Sequence, residues 1–166
     1  MGDNIEMTPA ERLQELVDGK NPKLILRMRS GFAILADNQF LPGYALLLAY
    51  PQVEQLNDLD SKRRFLFLED MALLGEAVHR VTDCIRVNYA MYGNLDPFLH
   101  AHVWPRYDWE VPEYATIPPL SYPEEIRNHE DTLWDPEIHA EMQDQIRRVL
   151  LTLTEEHGHV VQLHWT

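Results

Sequence analysis

The run Pro97-Phe98-Leu99-His100-Ala101-His102-Val103-Trp104-Pro105-Arg106 holds the residues best suited to chemistry. Two histidines two positions apart in an alternating apolar run fall on one face of a β-strand, because successive side chains alternate faces. Phe98, His100, His102 and Trp104 then share a face, while Leu99, Ala101 and Val103 turn into a core. Neighbouring imidazoles allow two chemistries: a pair of metal ligands, or a nucleophile with a helper. A catalytic zinc needs a third protein ligand. The remaining histidines, His79, His129, His139, His157, His159 and His164, show no spacing that nominates one.

Other polar residues stand where turns or strands are expected. Asp37-Asn38 is hairpin-turn chemistry between the apolar runs 32–36 and 44–50. Gly93-Asn94 reads equally as a turn. Asn88 lies in the strand-like stretch 84–91, where asparagine is disfavoured, which points to a task for its side chain. Arg106 is either a phosphate contact or a solvated strand end, and Trp104 is packing or a groove wall.

From Gly31 to Arg106, about half the chain, the sequence resembles the histidine triad (HIT) superfamily of nucleotide hydrolases and transferases. That family's signature is His-φ-His-φ-His-φ-φ, with φ apolar, commonly followed by Pro-Arg. Here it reads Phe98-Leu99-His100-Ala101-His102-Val103-Trp104, then Pro105-Arg106. Upstream, Asp37 to Tyr44 followed by the apolar run 45–48 resembles the family's nucleoside-binding strand pair.

The resemblance implies an α+β fold with an antiparallel sheet, a long helix packed across it and a C-terminal helical extension. It makes His100 the nucleophile, with its other ring nitrogen donating to a backbone carbonyl of the triad strand, and a covalent nucleotidyl-His100 as intermediate. Attack at the α-phosphorus divides a hard displacement into two easier steps. His102 would donate to a phosphoryl oxygen or help protonate the leaving group. Asn88 and Asn94 would contact phosphate, as would Arg106, and Asp37 or Asn38 would bind the ribose hydroxyls. The implied partners are a purine nucleotide, such as a dinucleoside polyphosphate or a nucleoside phosphoramidate, and a second copy of the chain in a homodimer. No metal or other cofactor is required. The departures are Phe98 in place of the first triad histidine and Asn94 in place of the usual Gln. Phe98 leaves open a rival reading, a HIT-like domain that binds nucleotide as a ligand or sensor without turnover. A third, a metal-dependent hydrolase using His100 and His102, predicts inhibition by chelators.

Composition bounds the rest. At 166 residues and 45% hydrophobic content the chain fits one domain with a substantial core. A net charge of −13 argues against nucleic-acid or acidic-membrane partners. The single cysteine, Cys84, suits a reducing compartment and reads as a buried thiol. No segment is long and apolar enough to span a bilayer, and the N-terminus lacks a secretory apolar region. Met1-Gly2 begins a myristoylation-like pattern, but Glu6 stands where Ser or Thr is wanted. A soluble, cytoplasmic protein is expected.

The positioning elements follow from caps and periodicity. Thr8, Pro9 and Glu11 predict a capped helix over 8–18. A family-like core over about 23–107 holds strands at 24–28, 32–36, 44–50, 84–91 and 98–104. It also holds a helix over 61–82 capped by Asp60, with Phe65, Phe67, Leu68, Met71, Leu74, Ala77 and Val78 on its apolar positions. Pro112, Pro118, Pro119 and Pro123 with interspersed aromatics predict an extended wrap over 107–135 without regular structure. A helix over 136–157 with Ile138, Met142, Ile146, Leu150 and Leu153 on one stripe, then a strand over 160–165, complete the reading.

Overall fold

The structure is a computed structural model that describes residues 8–158. Thr8 caps α1 (Pro9–Val17) as its sequence requires. Its hydroxyl accepts from the Glu11 N–H, and the Glu11 carboxylate accepts from the Thr8 N–H at 2.8 Å. There follow β1 (Leu24–Arg27), β2 (Gly31–Leu35), β3 (Ala45–Ala49), α2 (Ser61–Thr82), β4 (Arg86–Ala90) and β5 (His100–Arg106). The strands form one antiparallel sheet in the order β1-β2-β3-β5-β4. The strand expected over 160–165 lies outside the described residues.

Strand alternation divides the sheet into two faces. Ala33, Leu35, Leu47, Ala101 and Val103 point to one side and are fully covered by α2 and by α5 (Pro136–Glu156). Phe67, Leu74 and Val78 of α2 meet Ile146, Leu150 and Leu153 of α5 there. Each such large side chain contributes about 2 kcal/mol by leaving water. The stripes of both helices are shifted from expectation. Phe65 and Ile138 are exposed, at 73% and 68%, while Asp70 of α2 and His139 and Gln143 of α5 are buried. Asp70 is satisfied by the β1–β2 turn: its carboxylate accepts from the Ser30 N–H at 2.9 Å, the Ser30 hydroxyl at 2.7 Å and Arg29 at 3.2 Å. Gln143 donates to the carbonyls of Pro22 and Leu24 and accepts from the Trp134 indole.

The other face carries the site between two covers. Leu13, Leu16 and Val17 of α1 lie over Phe32 and Ile34 at one side. At the other, Tyr107 and Tyr122 close over Phe40, Leu41, Tyr44 and Trp104. The second cover departs from the expected irregular wrap. It is broken into α3 (Pro112–Ala115), α4 (Glu124–Arg127) and two 3-10 turns, Pro119–Ser121 and Glu130–Thr132. Pro112 and Pro119 open their turns and Pro123 caps α4, positions where a fixed φ and a missing N–H cost nothing. The triad strand is also displaced from 98–104. It begins at His100, because Leu99 still donates to the Val53 carbonyl, and it continues through Pro105 to Arg106. β3 pairs only as far as Val103, so Pro105 sits where β5 has a neighbour on one side alone.

Candidate functional site

Parity on β5 places the imidazoles as the sequence predicts. Phe98, His100, His102 and Trp104 form one row of rings, with successive centroids 4.9, 4.9 and 4.7 Å apart. His102 lies nearly parallel to the Trp104 indole, at an interplanar angle of 3°. Leu48 and Leu46 of β3 stand in register beside His100 and His102, giving the row an apolar flank.

The two imidazoles have different partners. His100 Nδ1 lies 2.9 Å from the Phe98 carbonyl oxygen. A carbonyl can only accept, so Nδ1 carries a proton, and in the neutral tautomer this selects, the lone pair is on Nε2. The expected bond to a backbone carbonyl is therefore present, and the Phe98 side chain does not interfere with it. His102 Nδ1 lies 2.6 Å from the Tyr44 hydroxyl. Burial, then the neighbouring His100, pull the His102 pKa down to about 4, so this ring is neutral at neutral pH. Burial, then Asp37, raise that of Tyr44, which keeps its proton.

A groove of about 320 Å³ runs across the strands in front of this row. Ile34, Leu46 and Leu48 form its floor, and Arg12, Leu13 and Leu16 of α1 form one wall. Asp37, Asn38 and Lys23 close one end, while Gln52, Asp96 and Phe98 flank His100 and His102. Lys23 and Asp37 are ion-paired. Asn38 is held by a β-bridge to Leu133, and its Nδ2 donates a hydrogen bond to Asn128 Oδ1 at 3.2 Å. Asp37, Asn38, Phe98, His100 and His102 are thus brought together.

Asn94, Asn88 and Arg106 are not. Asn94 is exposed on the loop between β4 and β5 and does not line the groove. Arg106 is neither a phosphate contact in this groove nor a solvated strand end. It is buried, and its guanidinium binds Glu110 through Nε at 3.0 Å and Nη2 at 2.9 Å. It also donates to Asn88 Oδ1 at 2.8 Å and to the carbonyls of Tyr114 at 2.7 Å and Ile117 at 3.0 Å. Asn88 has its side-chain task, but the task is to hold Arg106. The physical reason is parity: Arg106 lies two pairs beyond His102 on the same face, underneath the second cover. Among the described residues no three His, Cys, Asp or Glu side chains converge as a metal site, and no helix is long and apolar enough to cross a membrane.

Sequence reasoning missed Tyr44, Glu110, Gln39 and the α1 wall. Gln39 is buried and builds the turn before β3, donating to the carbonyls of Ala36 and Tyr44 and accepting from the Gly43 N–H. The Arg106/Glu110 spacing was visible, but Tyr44 and His102 are 58 positions apart and carry no local signal.

No protein-family model matches the chain, and no curated protein matches it by sequence. Solved structures do match in shape. A histidine triad protein from Sinorhizobium meliloti 1021 superposes with a TM-score of 0.66 at 17% identity, over 86% of this chain and 96% of that one. A hypothetical histidine triad nucleotide-binding protein from Sulfolobus tokodaii gives 0.68 at 13% identity, over 92% and 99%. The diadenosine triphosphate hydrolase of Plasmodium falciparum, solved with Cyclomarin A, gives 0.54 at 12% identity, over 82% and 79%. With the sheet order, the packed helices and the row of rings on β5, these likenesses settle the architecture: the chain has the fold of the histidine triad proteins.

Proposed function

We propose that the chain is a nucleotide hydrolase or nucleotidyl transferase. It acts at the α-phosphorus of a dinucleoside polyphosphate or nucleoside phosphoramidate, with His100 as nucleophile. The observation that carries this reading is the 2.9 Å bond from His100 Nδ1 to the Phe98 carbonyl, which leaves the Nε2 lone pair free on a groove-lining ring. A purine nucleoside lies over Ile34 and Leu46 against the α1 wall, with its ribose hydroxyls at Asp37 or Asn38. Nε2 attacks phosphorus and a P–N bond forms. The bond to the leaving group breaks, its electron pair departs with that group, and the group takes a proton from solvent. Water then attacks the nucleotidyl-His100 and a P–O bond forms. The P–N pair returns to Nε2, and the water's proton is released.

A second reading, a nucleotide-binding module without turnover, is favoured by the phenylalanine ring packed 4.9 Å from His100, where the family signature carries an imidazole. The test is nucleotide release from a panel of dinucleoside polyphosphates and adenosine phosphoramidates, comparing wild type with His100→Asn, both in EDTA. Release by the wild type alone supports covalent histidine catalysis. Equal, negligible release with measurable nucleotide affinity supports the binding module. We also propose a homodimer in which a second copy pairs along β4, an edge strand of the sheet among the described residues, where Ile85 and Tyr89 are exposed. Light scattering from the purified chain tests it.

A further inference from the structure

Resting on the nucleotidyl-transfer reading of the groove, we infer that Tyr44 is a positioning residue. Its hydroxyl fixes His102 as the tautomer whose Nε2–H faces the groove, so that His102 serves as a neutral hydrogen-bond donor to the phosphoryl group beside the His100 nucleophile.

Three observations carry this. The first is the contact itself: Tyr44 Oη to His102 Nδ1 is 2.6 Å. Tyr44 is buried, its phenol is held protonated by burial and by Asp37, and among the described residues its hydroxyl has no other acceptor, so it donates to Nδ1. The neutral ring then has its proton on Nε2. The second is the packing that fixes the ring plane. His102 is stacked on Trp104 at 4.7 Å, Tyr44 is stacked on Trp104 at 5.2 Å, and His100 and Tyr92 touch the remaining faces and edges of His102. The third is the free end. His102 lines the groove, and its Nε2 is neither hydrogen-bonded to protein nor occluded among the described residues.

The result is a pair of adjacent imidazoles locked in opposite tautomers by two different oxygens. The Phe98 carbonyl accepts a hydrogen bond from the His100 Nδ1–H, and the lone pair of the neutral ring stands on Nε2. The Tyr44 hydroxyl donates a hydrogen bond to the Nδ1 lone pair of His102, whose proton stands on Nε2. One ring supplies electrons to phosphorus and the other stabilises charge on the non-bridging oxygens, a preorganised donor in a partly dry site. His102 therefore keeps its proton throughout, and the leaving group is protonated by solvent.

The experiment is two-bond 1H–15N correlation of the imidazoles in the uniformly 15N-labelled full chain at pH 7. His100→Asn and His102→Gln provide the assignments. The expected wild-type spectrum shows His102 protonated at Nε2 and His100 at Nδ1. In Tyr44→Phe, which keeps the ring in its stack, an Nδ1-protonated population of His102 becomes detectable while the His100 signals stay in place and report an intact fold. With adenosine phosphoramidate as the probe, the same variant loses about tenfold in kcat with KM little changed, a part of what deleting such a donor outright costs. Wild-type His102 protonated at Nδ1, or no tautomer change in Tyr44→Phe, overturns the assignment. Absence of turnover in the wild type overturns the nucleotidyl-transfer reading instead, and the spectra still decide what Tyr44 does.

Discussion

Replacing Arg106 by Met separates two roles for the last residue of the triad strand. Its guanidinium is buried with Glu110, and the pair's side chains are 8% and 2% exposed. Removing one partner of a buried, hydrogen-bonded pair costs about 3–5 kcal/mol, because the other charge is left without compensation. Here the loss also strips charged donors from Asn88 Oδ1 and from the Tyr114 and Ile117 carbonyls. We expect about 4 kcal/mol by urea denaturation, or a fall in Tm of about 8–16 °C for a chain of this size. Cleavage by a protease within 107–135 should accelerate, since this arginine ties down both α3 and the turn after it. In Arg106→Met/Glu110→Leu, about half of the loss should return, since no unpaired charge remains.

The sign of the pH dependence sharpens the test. In the wild type, burial raises the Glu110 pKa, but Arg106, Tyr122 and the Tyr107 N–H outweigh it, and the carboxyl titrates below its ordinary value. That stabilisation is present above the ordinary carboxylate range and is lost as pH falls through the lowered value. With Arg106 gone, burial dominates and the Glu110 pKa rises. The stability gap between variant and wild type must then narrow as pH falls from 7 to 5. A loss under about 1 kcal/mol, or a gap that widens at low pH, refutes the anchor. An intact fold with weakened nucleotide affinity would return Arg106 to the phosphate role that the sequence suggested.

His102 gives a second pH signature. Its pKa is lowered from the ordinary 6.5 to about 4, so between those values the unfolded chain binds a proton that the native state refuses. Stability is full above pH 6.5 and falls toward pH 4, by roughly 2 kcal/mol after allowance for the ring's partial exposure. Urea midpoints of wild type and His102→Gln across that window should converge as pH falls. Phe98→His should change turnover by less than about tenfold, because the bond that orients His100 is made to a backbone carbonyl. A gain above about a hundredfold would mean that the natural site is catalytically crippled.

What was legible in the sequence was local. The Thr8/Glu11 capping box and the Asp60 cap each join residues three apart, and the ring row on β5 follows from alternation alone. Helix phase was less secure. A 3.6-residue period admits Phe65 and Ile138 to the buried stripes, yet both are exposed, and the buried side of α2 includes Asp70, which the β1–β2 turn binds through Ser30 and Arg29. The segment 107–135 departs from an extended path because proline, opposed to a helix interior, favours a helix at its first turn. The remaining errors are contacts of long reach. Tyr44 meets His102 only because β3 pairs with β5, and Arg106 meets Asn88 only because β4 does.

Strand parity links the chemistry to the cover. His100, His102, Trp104 and Arg106 are successive residues on one face of β5, so the proposed nucleophile and donor share a single backbone segment with the stacking platform and the anchor. Tyr122 bonds the Arg106/Glu110 pair and packs edge-on against Phe40 at 5.4 Å, and Phe40 in turn contacts Tyr44 at 6.1 Å. The path from the anchor to the hydroxyl that sets the His102 tautomer therefore crosses two aromatic contacts. Loosening the anchor should blur that tautomer before it unfolds the sheet, because α2 and α5 hold the opposite face independently. Arg106→Met, held below its Tm, is expected to show the mixed His102 spectrum of Tyr44→Phe, and a single tautomer there would mean that the cover and the site are energetically separate.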